Sequence, residues 1–456
     1  MLWLYHISPN SVNVTWLYTK QCGGKTKSSG NLSLETDLAR SKLKISHYSM
    51  NKSTTKLFNL PEGLWATAVV KNDVEAVVTC RSLKHYAICP WCEAKTKKVN
   101  QYRLRRLKHG RIDNRNVVLE WKCRQFICRN HLRPRTFMET IPGIDRRRHT
   151  PNFRTLTLPW LQRNSFNFTG EMFSLSPSAL NRLSRQSRED WRIDWNGLVK
   201  DGITLGIDEH SYRGRDMVLT ITELRRRKLL DILPDDSQAT LAQWLENMPT
   251  IAKKAIGEVC MDLKASYKHA VEKALPHAKI TADRFHVEQL ANRLVDQIRA
   301  VVTASEPRRM NIKHVLLKGR EKLTKTEQKK LVAAFIKYQR FPTLYHAWFI
   351  KEKIRALYRL KDKKKARKEF AHILTLIVDA DFSHYFGPFK KTLIAWQENI
   401  LNYFDSRTTN AFTEGVHTKI KLMKRVSFGF RNINNYIAKM MLAFLPLCWL
   451  LDLHTV

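Results

Sequence analysis

Short apolar segments separated by polar turns in the middle of the chain predict a β-sheet. Residues 203–208, 217–224 and 228–233 are rich in strand-forming side chains, and we interpret them as three consecutive strands. Residues 241–248 then carry apolar side chains at helical spacing, and 256–261 form a fourth apolar run. Three strands, a helix and a further strand indicate a mixed α/β domain.

Acidic residues close the first and the fourth of these strands. Asp208 ends the first apolar run, and Asp262 directly follows the fourth. This order of strands and acids is that of an RNase H-like sheet, in which the two strands lie side by side. We therefore expect the two carboxylates to meet at one edge of the sheet, close enough to share a cation.

A third carboxylate comes from the C-terminal part of the chain. Residues 408–421 predict a helix start with Thr409 or Asn410 as the N-cap, and Glu414 lies one turn in. Two Mg²⁺ or Mn²⁺ ions on the three carboxylates can activate a water or a 3′-hydroxyl and stabilise the leaving oxygen of a phosphoryl displacement. Taken singly, each acid is better explained as an ordinary strand-end or helix-start residue. The ordered set favours a metal site.

Two further polar residues follow a short fifth strand, which we predict at residues 279–282. Asp283 ends this strand, roughly 5 Å further from Asp208 than a neighbouring strand would be. We therefore predict Asp262 as the second metal ligand, with Asp283 and His286 as accessory residues. His286 either contacts the scissile phosphate or is a buried structural histidine, and the sequence leaves both interpretations open.

Four cysteines in two close pairs precede this region. Cys89 and Cys92 form one pair, and Cys123 and Cys128 form the other. The pairing predicts a zinc ribbon with four thiolate ligands, whereas free thiols or disulfides are the alternatives. Three other residues remain candidate substitutes: Cys80, His85 and His131.

Residues 150–200 predict helices punctuated by prolines. The segment 174–183 has a serine N-cap followed by proline at the first helical position, which is typical of a short helix after a turn. We interpret it as the second half of a helix-turn-helix, although short helical hairpins that bind nothing are common. The side chains predicted to face a DNA major groove are Ser178, Asn181, Arg182 and Arg185.

Several motifs of the C-terminal half together resemble the ISL3 family of bacterial insertion-sequence transposases. They are Gly-Ile-Asp-Glu at 206–209, Asp-Leu-Lys-Ala-Ser-Tyr at 262–267, Asp-Arg-Phe-His-Val at 283–287, Asn-Ala-Phe-Thr-Glu-Gly-Val-His-Thr-Lys-Ile-Lys at 410–421 and Gly-Phe-Arg-Asn at 429–432. The resemblance extends from about Met50 to the C-terminus. It implies a D-D-E enzyme of RNase H-like fold that cuts and rejoins DNA at the ends of an element. The spacing alone indicates no more than a two-metal nuclease or transferase.

The charge balance fits a polyanionic partner. The 456 residues include 80 Lys and Arg against 41 Asp and Glu, a formal net charge of +39. Such an excess suits phosphate contacts along DNA, although RNA-binding proteins share it. Four basic residues after Glu414 are predicted to bind phosphate: Lys421, Lys424, Arg425 and Arg431. The apolar segment 440–453 is shorter than a membrane span, so we expect no membrane segment.

These signals divide the chain into seven predicted regions. Residues 1–49 match nothing, and we expect a disordered or non-native extension produced by an early start codon. The other regions are a strand segment at 50–75, a zinc ribbon at 76–145, a helix-turn-helix at 146–200, the first part of an RNase H-like core at 201–286, an all-α insertion at 287–402 and the second part of the core at 403–456.

The sequence therefore predicts a transposase that binds the terminal inverted repeats of its element and cuts and joins DNA. Expected partners are double-stranded DNA, both terminal and target, and a second copy of the chain or a higher oligomer. The expected cofactors are Mg²⁺ or Mn²⁺ and a structural Zn²⁺, and the expected location is the bacterial cytoplasm with the nucleoid. The alternatives are a hydrolysis-only nuclease of the same fold and a catalytically inactive DNA-binding repressor.

Overall fold

An N-terminal β-sheet comes first among the described residues. The computed structural model describes residues 48–49, 58–144, 148–305, 310–377 and 383–450. The expectation for residues 1–49 therefore falls outside the described residues, except for the two-residue strand β1. The strands are β1 (Tyr48–Ser49), β2 (Leu64–Lys71), β3 (Glu75–Ser82), β4 (Ala87–Ile88), β5 (Lys95–Thr96), β6 (Val99–Ile112), β7 (Arg115–Cys128) and β8 (Arg135–Met138).

Six of these strands form one sheet with the order β1-β2-β3-β7-β6, and β8 also pairs with β7. Strands β4 and β5 make a separate small hairpin. Strands β2 and β3 are antiparallel neighbours, so the predicted boundary between residues 75 and 76 runs through a hairpin. Buried side chains such as Leu107, Leu119 and Trp121 make the core of this sheet.

Four helices follow the sheet: α1 (Pro151–Arg163), α2 (Phe166–Phe173), α3 (Pro177–Asp190) and α4 (Trp195–Val199). Thr150, Ser165 and Ser176 cap the first three, each accepting a hydrogen bond from a backbone N–H group of the first turn. Pro159 lies inside α1 rather than at its end.

A second sheet forms the centre of the molecule. Its strands are β9 (Ile203–Arg213), β10 (Asp216–Glu223), β11 (Lys228–Leu233), β12 (Ile256–Met261) and β13 (Lys279–Ala282), in the order β11-β10-β9-β12-β13. The first three strands are antiparallel, whereas β12 and β13 run parallel to β9. The intervening helices are α5 (Gln238–Glu246), α6 (Thr250–Ala255) and α7 (Ala265–Ala274). The prediction of a multidomain α/β chain is confirmed.

Helices make up the remainder. They are α8 (Arg284–Ala304), α9 (Lys313–Leu317), a 3₁₀ turn (Arg320–Lys322), α10 (Lys325–Lys337), α11 (Pro342–Leu357), α12 (Lys363–Leu376), α13 (Ser383–Ala395), α14 (Gln397–Ser406), α15 (Ala411–Val426), α16 (Ile433–Leu442) and α17 (Leu447–Leu450). One continuous hydrophobic core joins the central sheet to helices α8–α14. None of the described helices is both long enough and apolar enough to cross a bilayer.

Candidate catalytic centre and zinc site

Three acidic residues meet at one edge of the central sheet. In the parallel pair β9–β12, Ile207 lies opposite Met261, so Asp208 and Asp262 are neighbours across the strands. In the pair β12–β13, Met261 lies opposite Ala282, which brings Asp283 to the same edge. Three neighbouring strands therefore end with their acidic residues side by side.

Asp208, Asp262 and His286 form a compact cluster. One ligand atom from each of the three lies within 4.8 Å of the others. His286 Nε2 is 2.7 Å from Asp262 Oδ1 and 4.0 Å from Asp283 Oδ2. The predicted accessory histidine therefore lies beside the predicted ligands.

The electrostatics of the cluster favour an added positive charge. Burial raises the pKa of Asp208 to about 8, and the nearby charge of Asp262 adds to this effect. Burial also raises the pKa of Asp283 to about 6. Burial lowers the pKa of His286, but its hydrogen bond to Asp262 and the surrounding carboxylates outweigh burial and raise it. A cation would relieve the repulsion between these carboxylates.

Glu414 lies on helix α15, whose N-cap residue Asn410 contacts this edge. The Asn410 backbone N–H donates to Asp283 Oδ1 at 3.1 Å, and Asn410 Nδ2 donates to the Ile207 carbonyl at 3.0 Å. Glu414 lies in the first turn of α15, and its charge contributes to the raised pKa of Asp283. Glu414 does not belong to the cluster within 4.8 Å, so the structure brings its helix start, rather than its carboxylate, against the ligands.

Gly206 allows this close approach of α15 to strand β9. A Cβ atom at Gly206 would lie 2.8 Å from Asn410 Oδ1 and 2.5 Å from Thr222 Oγ1. Thr222 Oγ1 in turn is 2.7 Å from Thr413 Oγ1, in the turn that carries Glu414. A larger residue at position 206 would push the start of α15 away from the sheet.

A buried carboxylate ties the end of the helical insertion to the sheet. Glu258 on β12 accepts hydrogen bonds from Thr281 at 2.5 Å, Ser406 at 2.6 Å and Thr408 at 2.7 Å. Asn402 also donates to the carbonyl of Ile280 at 2.9 Å. These contacts return the chain to the sheet directly before α15, although more than a hundred residues separate the two parts of the core.

The donor set suits a hard divalent cation. Asp283 Oδ2 and Asn410 Oδ1 are buried oxygens that have no hydrogen-bond partner among the described residues. Buried acceptors are almost always satisfied, so these two oxygens favour a nearby cation whose bound water they can accept from, and Mg²⁺ is a cation that keeps such waters. Glu209 takes no part, because it accepts from Lys264 at 2.7 Å and from the Tyr267 hydroxyl at 2.9 Å.

A second cluster lies in the N-terminal half and consists of Cys89, Cys92, Cys128 and His131. Cys89 Sγ lies 3.4 Å from His131 Nε2, and Cys92 Sγ lies 3.7 Å from Cys128 Sγ. Tetrahedral zinc, with its usual bond lengths, would separate two sulfurs by about 3.8 Å and a sulfur from a nitrogen by about 3.6 Å. The four side chains thus already have the spacing of a zinc site.

The acidity of Cys89 agrees with this arrangement. Burial raises the pKa of its thiol, but hydrogen bonds from His131 and from the backbone at Trp91 and Cys92 outweigh burial and lower the pKa to about 6. Zinc binds the thiolate form, which a lowered pKa favours at neutral pH.

Comparison with known proteins now identifies the family. Residues 205–440, just over half of the chain, match the family model of the ISL3 transposases, described as transposase. The chain belongs to the ISL3 family of transposases. Residues 85–131 match a second family model, described as the zinc-finger of transposase IS204/IS1001/IS1096/IS1165. The predicted resemblance is confirmed.

Two relatives extend this result along the chain. The transposase for insertion sequence element IS1001 from Bordetella parapertussis is 23% identical over 372 residues, which cover 78% of this chain and 88% of the relative. The transposase for insertion sequence element IS1557 from Mycobacterium tuberculosis is 25% identical over 269 residues, which cover 52% of this chain and 59% of the relative. The aligned region includes most of the IS1001 transposase.

The structure places the predicted zinc ligand Cys123 outside the cluster. Cys123 lies inside strand β7, five residues before Cys128, so the two side chains point to opposite faces of the strand. Cys123 is buried in the core of the N-terminal sheet, where burial raises the pKa of its thiol to about 11. His131 takes the fourth position instead. The spacing Cys128-x-x-His131 carried this signal, since two intervening residues are usual for a zinc knuckle.

The residues predicted to contact a major groove lie on α3. Ser178, Arg182 and Arg185 are exposed and lie at intervals of four and three residues, on one face of the helix. Arg185 Nε donates to Asn435 Oδ1 of α16 at 2.6 Å. Asn181 is half-buried and donates to the Pro177 carbonyl within its own helix.

The predicted phosphate contacts cluster around the end of α15. Lys421, Arg425 and Arg431 are exposed, whereas Lys424 donates to the carbonyl of Tyr212 on β9. Tyr212 is four residues beyond Asp208 on the same strand, so this basic surface continues from the edge that carries the acids.

Proposed function

We propose that this chain is a D-D-E transposase that binds the terminal inverted repeats of its insertion sequence and catalyses DNA strand cleavage and strand transfer. The observation that carries the proposal is the meeting of Asp208 and Asp262 at adjacent strand ends beside the helix of Glu414, in a chain that belongs to a transposase family. The strand order β11-β10-β9-β12-β13 supports the assignment of an RNase H-like core.

In this proposal, Asp208, Asp262 and Glu414 hold Mg²⁺ or Mn²⁺. Bound divalent cations would activate the attacking water or 3′-hydroxyl and stabilise the leaving oxygen. The role of α15 would be to bring the third carboxylate to the two on the sheet, since the start of this helix contacts β9 through Asn410.

The two accessory residues receive different roles. Asp283 anchors the start of α15 through the Asn410 N–H group, so we assign it to positioning rather than to metal binding. His286 is close to Asp262, and 20% of its side chain is exposed. We assign it to the scissile phosphate, because its partly exposed ring lies beside the proposed metal ligands.

DNA binding is assigned to the basic surfaces on both sides of this centre. Helix α3 would enter a major groove as the second half of a helix-turn-helix, with Ser178, Arg182 and Arg185 facing the bases and Asn181 at the edge. The exposed cations on and after α15 would hold the backbone phosphates of the DNA being cut. Cys89, Cys92, Cys128 and His131 would hold a structural Zn²⁺ that shapes the N-terminal DNA-binding region.

Isosteric changes of the carboxylates test the proposal. Asp208→Asn, Asp262→Asn and Glu414→Gln should each lower cleavage of DNA that carries the terminal repeats by at least about a thousandfold, because a neutral amide holds a divalent cation poorly. Binding to the same DNA should stay within about twofold in a mobility-shift assay. Asp283→Asn is the matched control and should keep measurable activity.

The same assay separates this proposal from its rivals. A hydrolysis-only nuclease would cut the terminal DNA without joining the 3′ ends to a target, and a repressor would bind without cutting. If Asp262→Asn cuts normally and Asp283→Asn is inactive, the assignment of the second ligand is wrong.

A further inference from the structure

A chain of buried polar side chains leads away from Asp208 into the protein. His417 Nδ1 lies 3.5 Å from Asp208 Oδ2, and His417 Nε2 lies 3.0 Å from Thr220 Oγ1. The same hydroxyl is 3.0 Å from His210 Nδ1, and His210 Nε2 is 2.7 Å from the Tyr436 hydroxyl. All five side chains are buried, and the two imidazole rings are 4.5 Å apart.

Four separate elements supply this relay. Thr220 lies directly opposite Asp208 in the pair β9–β10, and His210 lies two residues beyond Asp208 on the same face of β9. His417 follows Glu414 by three residues on α15, so one face of this helix carries both side chains. Tyr436 lies on α16. The relay therefore joins the helix of Glu414 to the strand of Asp208.

The carboxylate fixes the direction of the hydrogen bonds. When Asp208 is in the ionised form that would hold a cation, a lone pair on His417 Nδ1 would repel it, so in that form this nitrogen carries the hydrogen. A neutral imidazole has one donor and one acceptor. His417 Nε2 then accepts from Thr220, Thr220 accepts from His210 Nδ1–H, and His210 Nε2 accepts from Tyr436. Each hydrogen is used once.

From this geometry we infer that His417 is a positioning residue for the metal ligand Asp208, and that its Nδ1–H orients the carboxylate. This inference rests on the proposed function, because it takes Asp208 to be a ligand. The other oxygen of Asp208 accepts the backbone N–H of Glu209 at 2.8 Å. With an N–H group close to each oxygen, rotation of the carboxylate is restricted, which keeps Asp208 at the edge that it shares with Asp262.

The proposed role of His417 also couples two parts of the site. His417 and Glu414 share α15, so docking of this helix on the sheet delivers the third ligand and fixes the first ligand in one step. Removal of a residue that orients a metal ligand typically lowers metal affinity by about ten- to a hundredfold.

Two amide substitutions distinguish the two ring nitrogens. The side-chain nitrogen of Asn occupies the place of His Nδ1, and that of Gln occupies the place of His Nε2. We expect His417→Asn to keep affinity for Mn²⁺ within about threefold of wild type, and His417→Gln to weaken it by about tenfold or more. The measurement is a titration of the full-length protein with Mn²⁺ in the absence of DNA, in which electron paramagnetic resonance detects the bound ion.

Controls separate this inference from the proposed function. Asp208→Asn should abolish Mn²⁺ binding, and the exposed His314→Leu should leave it unchanged. If Asp208→Asn binds Mn²⁺ like wild type, the proposed metal site is wrong. If Asp208→Asn loses binding but His417→Gln retains full affinity, or if His417→Asn is weakened as strongly as His417→Gln, the positioning role is overturned. Circular dichroism of each variant ensures that a loss reflects the site and not unfolding.

Discussion

At the scale of single residues, the zinc cluster can be tested by comparing residues inside the cluster with a cysteine outside it. We predict that His131→Ala and Cys92→Ser lose the roughly one zinc per chain of the wild type, because the metal stabilises the fold through all four ligands. Cys123→Ala should retain its zinc, since that side chain packs in the core of the sheet. Elemental analysis of fresh, chelator-free protein measures the difference.

The stability of the variants gives an independent check. Cys123→Ala should lower the melting temperature by only a few degrees, because a small buried side chain is replaced by a smaller one. Cys92→Ser should unfold the cluster and remove binding to terminal DNA. Zinc that is lost in Cys123→Ala but kept in His131→Ala would contradict the ligand set.

The acidic residues were predictable from the sequence because their positions depend on strand order. An apolar run that ends on Asp identifies both Asp208 and Asp262 without knowledge of distant contacts. Cys123 and His131 required knowledge of where strand β7 ends, which apolar spacing does not reveal. The relay through His417 and His210 was beyond prediction, because it depends on how far α15 and α16 approach β9.

At the scale of elements, helix α16 connects the two halves of the molecule. Its buried Lys439 donates to the carbonyls of Leu161 and, at 2.7 Å, of Asn164 at the end of α1. Gln162 donates in return to the carbonyl of Leu445 at 2.7 Å. The C-terminal helices thus complete the capping of the first helix of the predicted DNA-binding region.

Lys439 should make stability depend on pH. Burial lowers its pKa from 10.5 to about 7, so the unfolded chain binds the proton more tightly than the folded chain. The folded state therefore gains stability from this group as pH rises from about 7 to 10. Relative to Lys439→Met, the wild type should become more stable by roughly 2–4 kcal/mol over this range. Thermal melting of both proteins at a series of pH values measures the change.

Lys330→Met, at an exposed position of α10, is the matched control and should show no such dependence. A constant difference between wild type and Lys439→Met from pH 7 to 10 would mean that the lysine remains charged in the folded protein.

Element types were predicted better than their ends and neighbours. The helices of the insertion follow from apolar spacing, but the break at Trp396 between α13 and α14 does not. Pro159 lies within α1, although proline usually ends or kinks a helix. Such details depend on tertiary contacts that override local preference.

At the scale of the whole molecule, the N-terminal extension can be tested by removal. A chain that begins at Met50 loses β1, whose two residues pair with β2 at the edge of the sheet. Because so short an edge strand adds few hydrogen bonds, we expect binding and cleavage of terminal DNA within about twofold of the full chain and a melting temperature lower by at most a few degrees.

Mobility shift, cleavage and thermal melting of the two proteins side by side measure this prediction. A tenfold or greater loss of binding with unchanged melting would identify residues 1–49 as a DNA-contacting arm. A deletion of equal length from the C-terminus is the comparison, and it should remove both activities.

The C-terminal helices also determine what a truncating mutation would do to the protein. Leu442, Leu445 and Leu450 complete the hydrophobic core of α1–α3, while Tyr436 closes the relay behind Asp208. A frameshift within the last few dozen codons would therefore remove part of the hydrophobic core of the helices predicted to bind DNA, together with the buried contacts behind the proposed catalytic edge. Such a copy would not leave a stable fragment that occupies the ends of intact elements. We expect damaged copies to be silent in the genome rather than inhibitors of their active relatives.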